Sequence, residues 1–311
     1  MSEHSLCANP VHSRWNRALP PRLTIASGDT VHFECLDSSG AQVCPGMPVE
    51  QFVHIDRARI HALTGPVFIN AAEPGDVLQI DVLEVAHKGW GWSSVIPGLG
   101  FLKQRFSQPY LFHWKLESDV SHSLAPATVP LRPFCGVMGV ARGEDGEFTT
   151  RPPGPFGGNM DVRELCAGST LYLPVLNRGA LFSAGDAHAA QGDGEVCING
   201  IECPADATLR FRVHKNRPLS GPLIESATPR AVDAESESWI VVESGADAIA
   251  AARDATSRMI DLLAAWGFAE IDAYLLCSMA MRLRLSQVVN EPVFTVSAAL
   301  PKSVLPAKKL F

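Results

Sequence analysis

The chain has 311 residues, of which 46% are hydrophobic and 19% are charged, and its formal net charge is −7. This length is enough for a large hydrophobic core and for two domains. The acidic balance argues against nucleic acids and membranes as partners, and no apolar run reaches the roughly 18 residues of a transmembrane helix. The first twenty residues contain no apolar segment typical of a secretory signal, so we expect a cytoplasmic protein.

The eight cysteines are scattered, at positions 7, 35, 44, 135, 166, 197, 203 and 277, and no two of them form a C-x-x-C pair. In a chain of this size without a secretory signal, such a set is typical of reduced thiols. The paired spacing of a cysteine zinc site is missing, so the sequence does not favour zinc bound through cysteine.

Most of the first 225 residues show the pattern of short strands joined by tight turns. Apolar Val31, Phe33 and Cys35 alternate with polar residues, and segments 77–86 and 206–214 show the same period of two. This period is typical of strands with one face in a core and one face in solvent. The pattern predicts a β-sandwich or barrel-like body that carries the catalytic residues and spans residues 1–225.

The period changes after a polar, turn-rich stretch at residues 215–237. Apolar or small residues then recur at spacings of three and four, at Ile249, Ala252, Thr256, Met259, Leu263 and Trp266. This spacing predicts an amphipathic helix that ends at Gly267, and Ser244 with Asp247 forms a capping-box signal before it. A second, largely apolar helix and further strands follow. We therefore predict a mainly β fold with a smaller α+β unit at residues 226–311, packed on the body.

The stretch from Pro152 to Glu202 concentrates the residues that carry chemistry. Its turns are rich in glycine, and its polar side chains form two groups: Asn159, Asp161 and Glu164, then Asp186, His188, Gln191, Asp193 and Glu195. Several buried carboxylates repel one another unless a cation or protons neutralise them. Mixed Asp, Glu and His ligands suit zinc, whereas oxygen-only sets suit calcium or magnesium. The alternative is that these acids stand on hairpin turns and face water.

Other polar residues are weaker candidates. His12 and Asp37 are positioned to complete a site from the N-terminal strands, or to serve only in turns. His54, Asp56 and His61 lack neighbouring turn glycines, so we expect them to be solvated. The chain contains no G-x-S-x-G elbow, no phosphate-binding loop and no H-E-x-x-H pair, which leaves the carboxylate–histidine set as the concentrated site.

Several segments together resemble the acetamidase/formamidase family of amide hydrolases: PPGPFGGNMD, LYLPV, GALFSAGDAHAAQGDGEV, LTGPVFI, EPGDVL, PFCGVMGVA and LRLSQVVNEP. The similarity covers nearly the whole chain, and its length is close to that of the shorter, acetamidase-like members. The resemblance implies hydrolysis of a small aliphatic amide to a carboxylate and ammonia. It also implies a mostly β fold, a divalent metal (zinc, or else calcium) and a homodimer or higher oligomer.

The matching motifs also suggest roles for individual residues. The predicted metal ligands are Asp161, Asp186, His188 and Glu195. The predicted catalytic residues are Asp161, His188 and Glu195, with Glu195 taking a proton from the attacking water and passing it to the leaving ammonia. Asn159 and Gln191 are expected to bind the substrate amide or the oxyanion.

One departure from the family pattern is the pair Met281-Arg282, where members often carry Gly-Asp or a similar acidic pair before the segment Ser-Gln-Val-Val. A missing acid near the substrate would change the preferred amide. Two other functions stay open from the sequence. One is a metal- or amide-binding protein without turnover; the other is a hydrolase of a larger or cyclic amide, which Trp90 and Trp92 would accommodate.

Overall fold

The computed structural model describes residues 1–226 and 237–305. In chain order, the strands are β1 (Glu3–Leu6), β2 (Arg14–Trp15), β3 (Leu23–Ile25), β4 (Thr30–Cys35), β5 (Leu63–Ile69), β6 (Val77–His87), β7 (Trp90–Val95), β8 (Tyr110–Lys115), β9 (Val120–Ser121), β10 (Val129–Pro130), β11 (Phe134–Gly139), β12 (Phe148–Thr149), β13 (Gly157–Asn159), β14 (Thr170–Pro174), β15 (Phe182–His188), β16 (Ala205–His214), β17 (Leu223–Glu225), β18 (Ser238–Gly245), β19 (Arg282–Gln287) and β20 (Phe294–Pro301). The α-helices are α1 (Val49–Phe52), α2 (Ala248–Ala265) and α3 (Glu270–Ala280), and short 3-10 turns lie at Arg57–Arg59 and Lys302–Val304. With 38% strand and 13% helix, the predicted mainly β fold is confirmed.

Two large sheets organise the chain. The nine-stranded sheet has the order β1-β4-β16-β6-β14-β17-β18-β20-β19, and the five-stranded sheet has the order β13-β11-β15-β5-β3. Neighbouring strands are antiparallel except for the parallel pairs β1–β4 and β3–β5. Three two-strand ribbons, β9–β10, β2–β12 and β7–β8, flank them.

The two sheets pack face to face around aromatic residues. Phe33 of β4 and Phe211 of β16 project from the nine-stranded sheet and meet Phe182 of β15, with ring centroids 6.1 and 5.1 Å from Phe182. Along β4 the burial alternates, with His32 and Glu34 exposed on the outer face. The period-two pattern in the sequence therefore marks the faces of a sandwich, as predicted.

The C-terminal part continues the nine-stranded sheet. Strand β17, at the predicted boundary near residue 225, pairs with β14 on one side and β18 on the other. The strands beyond it share a second hydrophobic cluster with α2, which includes Trp239, Val241, Met259 and Leu300. The division of the chain at residue 225 stays a prediction. None of the described helices has the length and apolar character needed to span a membrane.

Helix α2 confirms the predicted amphipathic segment, although its details differ. Its N-cap is Asp247, whose Oδ1 accepts a hydrogen bond of 2.7 Å from the amide of Ala250, whereas Ser244 lies in β18. The buried stripe follows a spacing of four, at Ala251, Ala255, Met259 and Leu263. Ile249 is 63% exposed because the helix begins at Ala248 and turns this residue away from the sheet.

Candidate active site

Strand β15 carries Asp186 and His188 to one end of the five-stranded sheet. All seven of its residues are buried, and it lies between β11 and β5. Asp186 has a φ of 55°, and Asp161 and Glu195 have φ values of 51° and 49°. Residues other than glycine rarely adopt this left-handed conformation, which costs on the order of 1–3 kcal/mol each and is typical of functional sites.

Gly136 of β11 makes room for two of the acids. Its neighbours Cys135 and Val137 pair with Ala187 and Gly185 of β15, so Gly136 faces Asp186. A Cβ atom at this position would lie 2.6 Å from Oδ1 of Asp161 and 2.9 Å from Oδ2 of Asp186. The two carboxylates therefore approach each other over a backbone position that only glycine can occupy.

On the other side of β11, strand β13 brings in the first group of polar residues. Asn159 pairs with Val137, and the amide of Asp161 donates a 3.3 Å hydrogen bond to the carbonyl of Gly136. Asn290, from the C-terminal part of the chain, donates a 2.8 Å hydrogen bond from Nδ2 to Oδ2 of Asp161. This bond holds one carboxylate oxygen and leaves the other free to face the cluster.

The loop after β15 closes the site with two glutamates. Glu195 and Glu202 are 6% and 2% exposed. The backbone of Glu202 exchanges hydrogen bonds of 2.8 and 2.9 Å with Trp92, which fixes its position beside His188. Nε2 of His188 lies 2.9 Å from Oε1 of Glu202 and 3.6 Å from Oδ1 of Asp186. Carboxylates from both sides thus converge on one imidazole nitrogen.

Gln191 orients that imidazole. Its Nε2 donates hydrogen bonds of 2.9 and 3.4 Å to the backbone carbonyls of Asp161 and Ser286, so its Oε1 points toward His188. Because Oε1 can only accept, Nδ1 of His188 donates to it at 2.8 Å. This contact leaves Nε2 directed into the carboxylates. Gln191 is not among the residues that line the adjacent cavity, and its predicted role in substrate binding stays a prediction.

The buried acids carry strongly perturbed protonation equilibria. Burial and the charge of Asp186 raise the pKa of Asp161 to about 8, and burial raises the pKa of Glu202 to about 7. Burial and Asp161 raise the pKa of Glu195 well above its usual range. Burial alone would lower the pKa of His188, but Glu202 and Asp186 raise it well above its usual value. The cluster therefore contains more acids than its positive charge can balance if all of them are ionised.

The same residues offer free ligand atoms. Asn159 Oδ1, Asp161 Oδ1, Glu195 Oε2 and Glu202 Oε2 are buried and accept no hydrogen bond from described residues. Two groups each place three ligand atoms within 4.8 Å of one another: Asp161, Asp186 and His188, and then His188, Glu195 and Glu202. Unpaired buried oxygens beside an imidazole nitrogen fit a divalent cation, so this cluster could bind a metal.

A cavity of about 290 Å³ opens above the cluster. Its floor contains Asn159, Asp186, His188, Glu195 and Glu202, and its walls are largely apolar, with Phe52, Ile55, Ile60, Trp92, Ile96, Leu99 and Ile198. Such a concave apolar pocket with a few convergent polar groups is typical of a small-molecule site. The arrangement suits the addition of water to a small polar substrate at a metal-assisted centre.

Two site residues were not expected from the sequence. His61, predicted to be solvated, has a side chain that is 13% exposed, lines the cavity and lies 3.9 Å from Oδ2 of Asp186. The prediction was wrong because β5 begins at Leu63, two residues after His61, and its pairing with Gly185 of β15 brings His61 close to Asp186. Glu202 was not singled out, although a glutamate between Ile201 and Cys203, in an otherwise apolar run, is a signal of burial.

Other predicted candidates lie outside the cluster. Asp37 is buried but accepts hydrogen bonds from Trp92 Nε1 and from its own turn. Nε2 of His12 lies 2.8 Å from Oγ of Ser183. Glu164 pairs with Arg284 at 2.7 Å, and Asp193 pairs with Arg163 at 3.0 Å, so both acids are already neutralised. These residues stabilise the surroundings of the site.

Of the other described residues singled out in the sequence, only one lines the cavity. Trp92 is 3% exposed and lines the cavity, whereas Trp90 is half-buried and does not. Met281 ends α3 and Arg282 begins β19, and neither residue lines the cavity. The departure from the family pattern at these two positions therefore has no direct contact with the cavity. His54 and Asp56 are exposed, as predicted.

The fold and the site together define a two-sheet β protein with a buried carboxylate–histidine centre beneath a small cavity. The model of the acetamidase/formamidase family matches residues 2–147 and 143–306. The chain belongs to this family. The resemblance seen in the sequence motifs is thereby confirmed.

Individual relatives support the same assignment. An acetamidase from Bacillus halodurans of known crystal structure is 32% identical, with a TM-score of 0.89 over 96% of this chain and 98% of that chain. An acetamidase from Mycolicibacterium smegmatis is 25% identical, in an alignment that covers 86% of this chain and 85% of that protein. A formamidase from Methylophilus methylotrophus is 27% identical, in an alignment that covers 61% of this chain and 60% of that protein.

Proposed function

We propose that this protein hydrolyses small aliphatic amides of the acetamide and formamide type to a carboxylate and ammonia, with the help of a divalent metal. The observation that carries the proposal is the convergence of four buried acids on His188 at the floor of the cavity, with oxygen atoms left unpaired. The names of the relatives, acetamidase and formamidase, support the substrate class.

The metal would be held by Asp161, Asp186 and His188. This set offers two carboxylates and one imidazole nitrogen, and the nitrogen favours zinc over calcium. When bound, such an ion lowers the pKa of water to near 7 and polarises a carbonyl group. Gln191 keeps Nε2 of His188 directed at the site, and Asn290 keeps Asp161 in place. Positioning contacts of this kind typically contribute 10- to 100-fold in metal affinity.

Glu195 is the residue proposed to move the proton. Its Oε2 accepts no hydrogen bond from a described residue, and it lines the cavity beside His188. We assign it the role of accepting a proton from the attacking water and donating it to the nitrogen of the leaving ammonia. The side-chain amide of Asn159 binds the substrate amide from the same floor, while Phe52 and Trp92 keep bulk water out.

The test uses the purified protein and measures bound metal together with ammonia release from formamide, acetamide and propionamide. We expect activity to be lost on chelation and restored by zinc, and His188→Ala to lose both metal and activity. Full activity after complete metal removal would contradict the metal-assisted mechanism. Amide binding without any ammonia release would point instead to a binding protein.

Two expectations from the resemblance also stay predictions. A homodimer is tested by light scattering on the eluting protein during size-exclusion chromatography. The cytoplasmic location is tested by fractionation of the source cells. Neither bears on the chemistry of the site.

A further inference from the structure

Three arginines line the cavity above the acid cluster: Arg14, Arg57 and Arg151. Neither acetamide nor formamide carries a charged group that would pair with a cation at this position. Guanidinium groups in a substrate cavity are typical of sites that bind carboxylates or phosphates. A guanidinium group is available to a ligand only if other protein groups do not already accept its hydrogen bonds.

The protein leaves most of their hydrogen-bonding capacity unused. Nη1 of Arg14 donates to the carbonyls of Ser13 and Ala58, and Nη2 of Arg151 donates to the carbonyl of Val289 at 3.3 Å. The side chain of Arg57 donates no hydrogen bond to any described residue. Within residues 1–226 and 237–305, none of the three guanidinium groups forms an ion pair.

The charges of Glu195 and Glu291 act on Arg151, but neither acid forms an ion pair with it among the described residues. Glu291 accepts hydrogen bonds of 2.8 and 2.9 Å from Nζ of Lys103, and Glu195 belongs to the acid cluster. Burial lowers the pKa of Arg151, the charges of Glu195 and Glu291 oppose this only in part, and the charge of Arg57 adds a smaller lowering. Two guanidinium groups that line one cavity and have no ion-pair partner among the described residues are suited to an anion from outside the protein.

The size of the cavity points the same way. Its volume of about 290 Å³ lies close to the lower limit of about 300 Å³ for pockets that enclose drug-sized ligands. Acetamide has only four heavy atoms and would leave most of this space to water. The same cavity is also lined by apolar Ile55, Ile60 and Ile198, which suit contact with a short methylene chain.

We propose that the preferred substrate is a primary amide whose acyl chain ends in a carboxylate, that is, the monoamide of a short dicarboxylic acid. Its amide lies over the acid–histidine floor, and its carboxylate is bound by Arg57 and Arg151. Water adds to the amide carbon, the C–N bond breaks, and the nitrogen leaves as ammonia, so the product is a dicarboxylate. This inference rests on the proposed amide hydrolysis and names its substrate class.

The test compares kcat/KM for ammonia release from matched pairs of amides. The monoamides of the four- and five-carbon dicarboxylic acids are compared with butanamide and pentanamide, which have the same chain lengths and no charge. We expect the anionic amides to be preferred by about 10- to 100-fold, the range of a charge-assisted hydrogen-bonded pair. We expect Arg57→Gln and Arg151→Gln each to reduce this ratio toward one.

Arg57 is exposed, so Arg57→Gln avoids the risk of misfolding that a change at the more buried Arg151 carries. Arg178→Gln is the matched control: its side chain is 80% exposed and lies outside the cavity lining, so the ratio should not change. A second readout is calorimetric titration of the four-carbon monoamide into the chelated protein. Its binding should weaken in Arg57→Gln and not in Arg178→Gln.

The possible outcomes separate the two proposals. Equal kcat/KM for anionic and neutral amides, or a ratio unchanged in both arginine variants, would overturn the inference and leave amide hydrolysis standing. Binding of the monoamide that weakens in Arg57→Gln, without ammonia release from any amide, would support the anion site and refute hydrolysis. Neither binding nor release would overturn both.

Discussion

Asp81, a buried acid of the nine-stranded sheet, and the buried acids of the site have different surroundings. In the nine-stranded sheet, Asp81 accepts hydrogen bonds from Arg210 at 2.8 and 3.0 Å, from Arg212 at 2.6 Å and from Gln79 at 2.6 Å. In the site, Asp161 and Glu195 each keep a buried oxygen that accepts no hydrogen bond from a described residue. Both oxygens of Asp81 have hydrogen-bond donors, whereas each of these two site acids keeps one oxygen without a donor.

The pKa values follow this difference. Burial raises the pKa of Asp81, but its hydrogen bonds to Gln79 and Arg210 and the charge of Arg212 outweigh burial and lower it. At Asp161 burial and a like charge act in the same direction, and the pKa rises to about 8. An acid that its neighbours satisfy stabilises the fold, whereas unsatisfied acids in a group cost stability until a cation arrives. This contrast identifies the site more clearly than burial alone.

The largest effect is expected from Glu195→Gln, which removes one of the acids that lack a hydrogen-bond donor. Loss of the proposed proton carrier should lower kcat for acetamide by about 10²- to 10⁴-fold while metal content is retained. The melting temperature of the metal-free protein should not fall, because one of several repelling acids becomes neutral. Ammonia-release kinetics, metal analysis and thermal denaturation measure the three quantities. Loss of the metal in this variant would make Glu195 a ligand instead.

Gly136→Ala tests whether the two acids must meet over a bare backbone. The new Cβ would displace Asp161 or Asp186, so we expect activity to fall by at least about 10²-fold and the fold to lose about 1–3 kcal/mol from overpacking. Gly143→Ala is the control, since its Cβ would meet nothing closer than 3.9 Å. Activity is measured by kinetics and stability by urea denaturation. If Gly136→Ala and Gly143→Ala had equal effects on both, the result would reflect general strain and not the contact with the two acids.

A smaller effect is expected from Gln191→Ala. Without its amide oxygen, Nδ1 of His188 loses its acceptor, and zinc affinity should fall by about 10- to 100-fold. Gln79→Ala is a matched control, because Gln79 also joins a histidine and an aspartate, His214 and Asp81, but in the sheet. Zinc affinity measured with a competing chelator should change in the first variant only; similar losses in both would contradict the positioning role.

The smallest effect concerns Asp81→Asn. We expect it to lower the free energy of unfolding at pH 7 by about 1–2 kcal/mol, after allowance for the solvent that reaches both arginines, and to leave catalysis unaltered. Because the folded pKa of Asp81 lies below its unfolded value of about 3.9, the stabilisation is present above that pH and is lost as the pH falls below it. Urea denaturation of both proteins at pH 7, 4 and 3 should show the difference shrinking; a constant difference would contradict this account.

Features that depend on neighbouring residues in the chain could be predicted from the sequence, whereas contacts between distant segments could not. The alternation at Val31, Phe33 and Cys35 identified a strand face, because the period of two is a property of the strand itself. The helix over Ala248–Ala265 was also identified, but its buried stripe was shifted, since Ile249 precedes the part of the helix that meets the sheet. His61 was assigned to solvent because no local feature reports the approach of β15, which is distant in sequence.

Three properties were apparent from the amino-acid sequence: the mainly β class, the concentration of Asp161, Asp186, His188 and Glu195 in one glycine-rich stretch, and the family that the motifs identify. Which acids lack hydrogen-bond partners became apparent only in the folded chain. The tertiary structure paired Asp193 and Glu164 with arginines, added Glu202 and His61 to the site, and turned Gln191 toward His188. The physical reason is that hydrogen-bond satisfaction depends on contacts between strands far apart in the chain, which no local pattern encodes.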